Sequence, residues 1–115
     1  MKKRKNRVGF LEKVIVYGPK GQKTVIARVD TGAARNSIDD KLAKKLGIKK
    51  VIKHKVVKSA HGVKKRPIVK ARLKIAGKTL DNMTFTLADR KHMKYDVLVG
   101  RNTLKEGLFV VDPDK

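Results

Sequence analysis

Within Ile68–Ile75, apolar and cationic residues alternate without a break from Val69 onward. Val69, Ala71, Leu73 and Ile75 fall on one side, and Lys70, Arg72 and Lys74 on the other. Successive side chains of a strand point to opposite faces, so this stretch is satisfied as a strand with one dry and one wet face. Similar signals recur along the chain. Val8–Tyr17 and Thr24–Val29 read as strands on either side of the turn cluster Gly18-Pro19-Lys20-Gly21. Val51–Ser59 is a further strand. Met83, Phe85 and Leu87 alternate with Asn82, Thr84 and Thr86, and Leu108–Val111 is a last strand. Val97-Leu98-Val99 is a short continuous apolar run, as expected for a strand buried on both faces. Only Ser37–Leu46 has clear helical spacing, with Ile38, Leu42, Ala43 and Leu46 on one side. Asp39 and Asp40 sit in its first turn, Lys44 and Lys45 in its last, and Gly47 is its stop. Arg101–Glu106 is a short second helix ended by Gly107. Short strands with one clear helix predict a mainly β barrel or sandwich. A faint internal echo, strand–glycine loop–helix–glycine, links Val25–Gly47 to Val97–Gly107.

The chain has 115 residues, enough for one domain, expected over residues 8–115 after a basic arm at residues 1–7. No apolar run follows that arm, so no export signal is expected, and no stretch is long enough to span a membrane. Cysteine is absent, which removes disulfides, thiolate metal sites and cysteine nucleophiles and fits a cytoplasmic setting. His54, His61 and His92 lack zinc spacing, so neither a metal nor a cofactor is expected. There is no P-loop, no dinucleotide fingerprint and no G-x-S-x-G elbow.

The positive signal is Val29-Asp30-Thr31-Gly32-Ala33, a carboxylate placed in a turn at the end of a β-branched strand. Asp and Gly are ordinary turn residues, and D-T-G arises by chance in roughly a few per hundred chains of this length. Far downstream, Val97-Leu98-Val99-Gly100-Arg101-Asn102 forms a second element of strand, glycine and helix start.

Together these segments resemble the retropepsin-like aspartic peptidases, the single-domain class that includes retroviral proteases. Asp30–Ala33 resembles the catalytic loop, and Val97–Leu104 resembles the strand-glycine-arginine-helix signature near the end of those proteases. The chain is more similar still to a prokaryotic branch labelled ATP-dependent zinc proteases. Three segments carry that likeness: Ala27–Ser37, Lys65–Val69, and Leu87-Ala88-Asp89-Arg90 through Met93 to Arg101. The ending Phe109–Pro113 also fits. The resemblance implies a mainly β closed barrel with one clear helix and a short second one. It also implies a homodimer, because each chain supplies one aspartate. Two Asp30 carboxylates about 3 Å apart share one proton. Water is then the nucleophile and peptide the substrate. Thr31 would tie the two loops together, and Gly32 would let backbone approach the carboxylate. Val99, Gly100 and Arg101 would support the loop from beside it. Val57–Lys65 is the candidate flap, with Ala60, His61 and Gly62 at or near its tip and Lys64, Lys65 and Arg66 along its edge. Retroviral proteases carry an acid just after this loop, where Ala34 and Arg35 stand here. Arg101 therefore needs another partner, and Asp39 and Asp89 are the candidates. The residues support neither the zinc nor the ATP of the branch label.

Lys and Arg number 31 against 10 Asp and Glu, a net charge of +21. This charge is either a solvated lysine surface or a field for anionic partners. Lys53, Lys55 and Lys58 share the flap's strand, so a cleft edged this way would attract acidic peptide. The branch is associated with ligases that add glutamates to proteins, which implies acidic or glutamylated segments as substrate. The alternative is a non-catalytic module of the same fold that holds RNA, a ribosome or an acidic protein. Aromatic residues are only 4%, so base stacking is poorly supplied, whereas lysine–phosphate contact is not.

Overall fold

The structure is a computed structural model and describes residues 6–115. Its elements in chain order are β1 (Asn6–Val8), β2 (Leu11–Gly18), β3 (Gly21–Val29), β4 (Asn36–Asp39), α1 (Asp40–Lys45), β5 (Val51–Ser59), β6 (Gly62–Ile75), β7 (Lys78–Ala88), β8 (Val97–Val99), α2 (Arg101–Glu106) and β9 (Phe109–Val111). Six strands close on themselves in the order β2-β3-β8-β4-β7-β6, and β6 pairs back to β2 through Val14↔Ile75 to Tyr17↔Arg72. The expected closed, mainly β barrel is therefore observed, with two short helices.

Alternation decides which residues fill it. Val69, Ala71, Leu73 and Ile75 of β6 are buried, and Lys70, Arg72 and Lys74 are exposed. Val14 and Val16 of β2, Ile38 of β4, Phe85 of β7 and Val97 and Val99 of β8 complete the interior. A six-stranded ring presents one side of each strand inward, so one apolar residue in two suffices to fill the core. The β2–β3 hairpin turns through Pro19-Lys20 between Gly18 and Gly21. The β6–β7 hairpin turns through Ala76 and Gly77, at φ +48° and +80°. Two positive φ values in a two-residue loop match the twist of the flanking strands.

Three boundaries differ from expectation. Asn36–Asp39 is a strand rather than the start of the helix, paired parallel to β7 and antiparallel to β8. Bonding from both sides outweighs helical spacing there, and α1 begins only at Asp40. Residues 1–5 of the expected basic arm lie outside the described residues. Asn6 and Arg7 belong to β1, which pairs parallel to β9 through Asn6↔Phe109, Arg7↔Val110 and Val8↔Val111. The strand expected over Val8–Tyr17 is broken at Gly9-Phe10, which separates β1 from β2. No helix among the described residues is long and apolar enough to cross a membrane.

β5 and the first half of β6 leave the barrel as a ribbon, registered from Lys53↔Ile68 to Ser59↔Gly62. Most of its side chains are exposed on both faces.

Candidate active site

Asp30 follows the last residue of β3, where the chain must leave the ring. Its N–H donates to the Val99 carbonyl of β8 at 2.8 Å, which prolongs the parallel pairing Val29↔Val99 by one bond. The loop then folds onto its own carboxylate. The Gly32 N–H donates to Asp30 Oδ1 at 2.9 Å and the Ala33 N–H to the Asp30 carbonyl at 3.2 Å. A Cβ at position 32 would stand 3.2 Å from Asp30 Oδ1, tighter than ordinary contact, so glycine suits this approach. Asp30 is half-buried, with one carboxylate edge committed to the loop.

α2 holds the other side of the loop. The Arg101 and Asn102 N–H groups donate to the Ala33 and Ala34 carbonyls at 2.8 and 3.2 Å. Orphan donors of a helix's first turn thereby meet carbonyls of an irregular loop, and both needs are met at once. The Arg101 guanidinium donates through Nη1 to the Thr31 carbonyl at 2.9 Å. This corrects the expectation that Asp39 or Asp89 would partner Arg101. The missing acid is replaced by a backbone acceptor, and Asp39 instead accepts the Arg90 N–H at 2.8 Å. Gly100 lies against Arg35, whose carbonyl carbon and oxygen are 2.5 Å from where a Cβ would be.

Beneath this contact lies a polar network that sequence reasoning missed. Asn36 Oδ1 accepts from the Gly100 N–H and the Thr103 hydroxyl, both at 2.9 Å. Asn102 Oδ1 accepts the Asn36 N–H at 3.0 Å, while Asn102 Nδ2 donates to Thr84 O at 3.0 Å and Thr84 Oγ1 at 3.2 Å. Arg35 Nε reaches the same Thr84 hydroxyl at 3.2 Å. The loop after Asp30, α2 and β7 are thus tied through Asn36 and Asn102. Asn36 Nδ2 is buried with no partner among the described residues.

Among the described residues, Asp30 lines two cavities. One, of about 600 Å³, opens toward Phe10, Leu11 and Thr31; the other, of about 300 Å³, toward Arg28, Arg90, Met93 and Leu98. The ribbon cations Lys64, Lys65 and Arg66 line a third cavity, of about 540 Å³, without Asp30. Arg90 and Met93 line both the second and the third. Ala60 and His61 form the ribbon's turn, and Gly62, at φ +115°, opens β6 rather than sitting at the tip. Ser59 Oγ accepts the His61 N–H at 3.3 Å.

A zinc site can be tested on the donors present. Asp39, Asp40 and Asp89 bring ligand oxygens within 4.8 Å of one another. Three carboxylates without imidazole or thiolate make a poor zinc set. Two of the oxygens already accept N–H groups, Asp39 Oδ1 from Arg90 and Asp89 Oδ1 from Lys91. The Lys91 N–H is also the main reason Asp89 ionises below the usual carboxylate range; loss of solvent opposes it, and the charges of Lys91, His92 and Lys41 add to it. The group does not fit a resident zinc.

The family model described as RimB-like, retropepsin-like aspartic endopeptidase RimB, matches residues 39–115. A search of the curated proteins finds no match. Among solved structures, the chain is similar to protein Lpg0085 (DUF785) of unknown function from Legionella pneumophila, with a TM-score of 0.68 and 23% identity, covering 96% of this chain and 95% of that one. It is also similar to the Simian Foamy Virus (mac) protease, with a TM-score of 0.62 and 15% identity, covering 83% and 91%.

Proposed function

The chain belongs to the RimB-like family of retropepsin-like aspartic endopeptidases, and from that premise we propose that it hydrolyses peptide bonds with Asp30 as its catalytic carboxylate. The observation that carries this reading is the loop itself: a half-buried carboxylate, oriented by the Gly32 N–H, in a turn held by both β8 and α2.

One aspartate cannot do this chemistry alone, so the proposed active form is a homodimer with two Asp30 carboxylates face to face. At about 3 Å the pair holds one proton between them. The ionised carboxylate takes a proton from water as the water attacks the scissile carbonyl. The protonated one hydrogen-bonds the carbonyl oxygen and then supplies the proton for the leaving amine. The attacking oxygen comes from water, so no covalent intermediate forms. Thr31 stands beside an open apolar cavity of about 560 Å³ lined by Leu104, Leu108 and Val110, the last two 48% and 39% exposed. An exposed apolar face next to the loop is where a second copy would dock. The ribbon, turning at Ala60 and His61 with Gly62 opening its return strand, is the proposed flap, and Lys64, Lys65 and Arg66 favour acidic protein segments, glutamylated tails included, in a cytoplasmic setting.

Asp30→Asn tests the reading. It removes the ionisable group and keeps its size, so cleavage of a glutamate-rich peptide should fall at least about a thousandfold; retained cleavage rejects the mechanism. A second reading rests on the exposed cations of the ribbon: a binding module for an anionic partner that does no chemistry. It predicts binding that weakens steeply with salt and is indifferent to Asp30→Asn.

A further inference from the structure

Arg90 is 8% exposed, unlike the cations of the ribbon. It lies in the irregular segment 89–96 between β7 and β8 and is fixed from two sides. Its N–H donates to Asp39 Oδ1 at 2.8 Å, and its Nε–H donates to the Tyr95 carbonyl at 2.9 Å. Among the described residues its two terminal nitrogens have no hydrogen-bond partner, and it makes no ion pair. Burial lowers its pKa, while the more distant charges of Asp39 and Asp96 favour the charged form. Guanidinium stays protonated at neutral pH regardless. The terminal nitrogens are not among the buried polar atoms left without a partner, so they are open to solvent, and water meets them until a stronger acceptor displaces it.

Its surroundings say what would. Arg90 lines the cavity of about 300 Å³ that contains Asp30 and Leu98, where the other charged residues are the exposed Arg28 and Lys94. Asp30 is the only carboxylate there, and Arg90 does not pair with it. The space suits one substrate side chain, and a planar fork of donors suits a carboxylate. We propose that Arg90 is the specificity-determining residue of this site, receiving the side-chain carboxylate of the peptide residue next to the bond presented to Asp30. The proposal rests on the peptidase reading for the position of the bond. It differs from a general attraction to the basic surface, because one buried group carries the selection.

Binding separates the two. In an Asp30→Asn background at 0.3 M NaCl, anisotropy is measured with labelled hexaglutamate and hexaglutamine peptides. The expected glutamate preference is at least about tenfold. Arg90→Gln should bring it to near one, and Lys23→Gln, an exposed charge on β3, should leave it in place. An unchanged preference in a folded Arg90→Gln protein overturns the proposal, as does no preference in the Asp30→Asn parent. Should Arg90→Gln unfold, Met93→Glu decides, because Met93 is exposed and lines the same cavity. A carboxylate supplied there should compete with the peptide and lower hexaglutamate affinity more than Lys23→Glu does. An equal or smaller effect rejects the role. Selective binding without cleavage by the wild-type chain would overturn the peptidase reading and keep Arg90 as the carboxylate receptor.

Discussion

A methyl group at position 100 would meet the backbone of Arg35 at 2.5 Å, and backbone cannot swing aside as a side chain can. Gly100→Ala should therefore destabilise the chain by about 1–3 kcal/mol. Urea unfolding checks this, and an unchanged midpoint would mean that loop and helix are not in contact. This glycine stood out between an apolar run and a helix start, and the turn at Asp30 where a carboxylate and a glycine end a β-branched strand; the roles proposed for them came from the resemblance. Asn36 and Asn102 did not stand out. A single buried amide has no periodicity, and nothing in the chain announces that Asn36 Oδ1 will take the Gly100 N–H and the Thr103 hydroxyl. The partner of Arg101 was misjudged for a related reason. Charge counting considers only carboxylates, whereas the Thr31 carbonyl is a backbone acceptor that every residue type offers. Arg90 escaped because its segment has no regular period from which burial can be inferred.

The alternation in β6 transferred directly into buried and exposed faces, because a closed ring leaves each strand one inward side; β8, expected to be buried on both faces, buries Val97 and Val99 and leaves Leu98 half-buried. The helix expected over Ser37–Leu46 lost its first three residues to β4 and runs from Asp40 to Lys45. Ile38 satisfies a strand facing inward as well as a helix stripe, and strand pairing on two sides decided for the former. The β6–β7 turn offers an element-scale prediction. Ala76 holds φ +48°, a region that costs an alanine about 1 kcal/mol and that asparagine tolerates. Ala76→Asn should stabilise the hairpin by roughly 0.5–1 kcal/mol, read as a higher thermal midpoint. A lower midpoint would indicate that the turn does not hold both residues at positive φ.

Across the whole molecule, 31 cations face 10 carboxylates, so pairing cannot neutralise the surface. Self-repulsion opposes both compactness and the approach of a second copy, and it is screened within about 8 Å at physiological ionic strength. Raising NaCl from low concentration to 0.5 M should lift the thermal midpoint, about 4 °C for each kcal/mol relieved in a domain of this size. The same change should shift sedimentation toward the dimer. A midpoint and a molar mass that both ignore salt would show the charge to be inert. The parallel pairing of β1 with β9 has a consequence in time. Asn6 leaves the ribosome about a hundred residues before its partner Phe109, an interval of roughly 5–20 s at ordinary synthesis rates. Throughout it, the first strand has an open edge and no clasp, and completion of the native state waits for the synthesis of β9. Nascent chains are then at their most adhesive before β9 emerges, and their high positive charge opposes edge-to-edge pairing of neighbouring copies on a polysome.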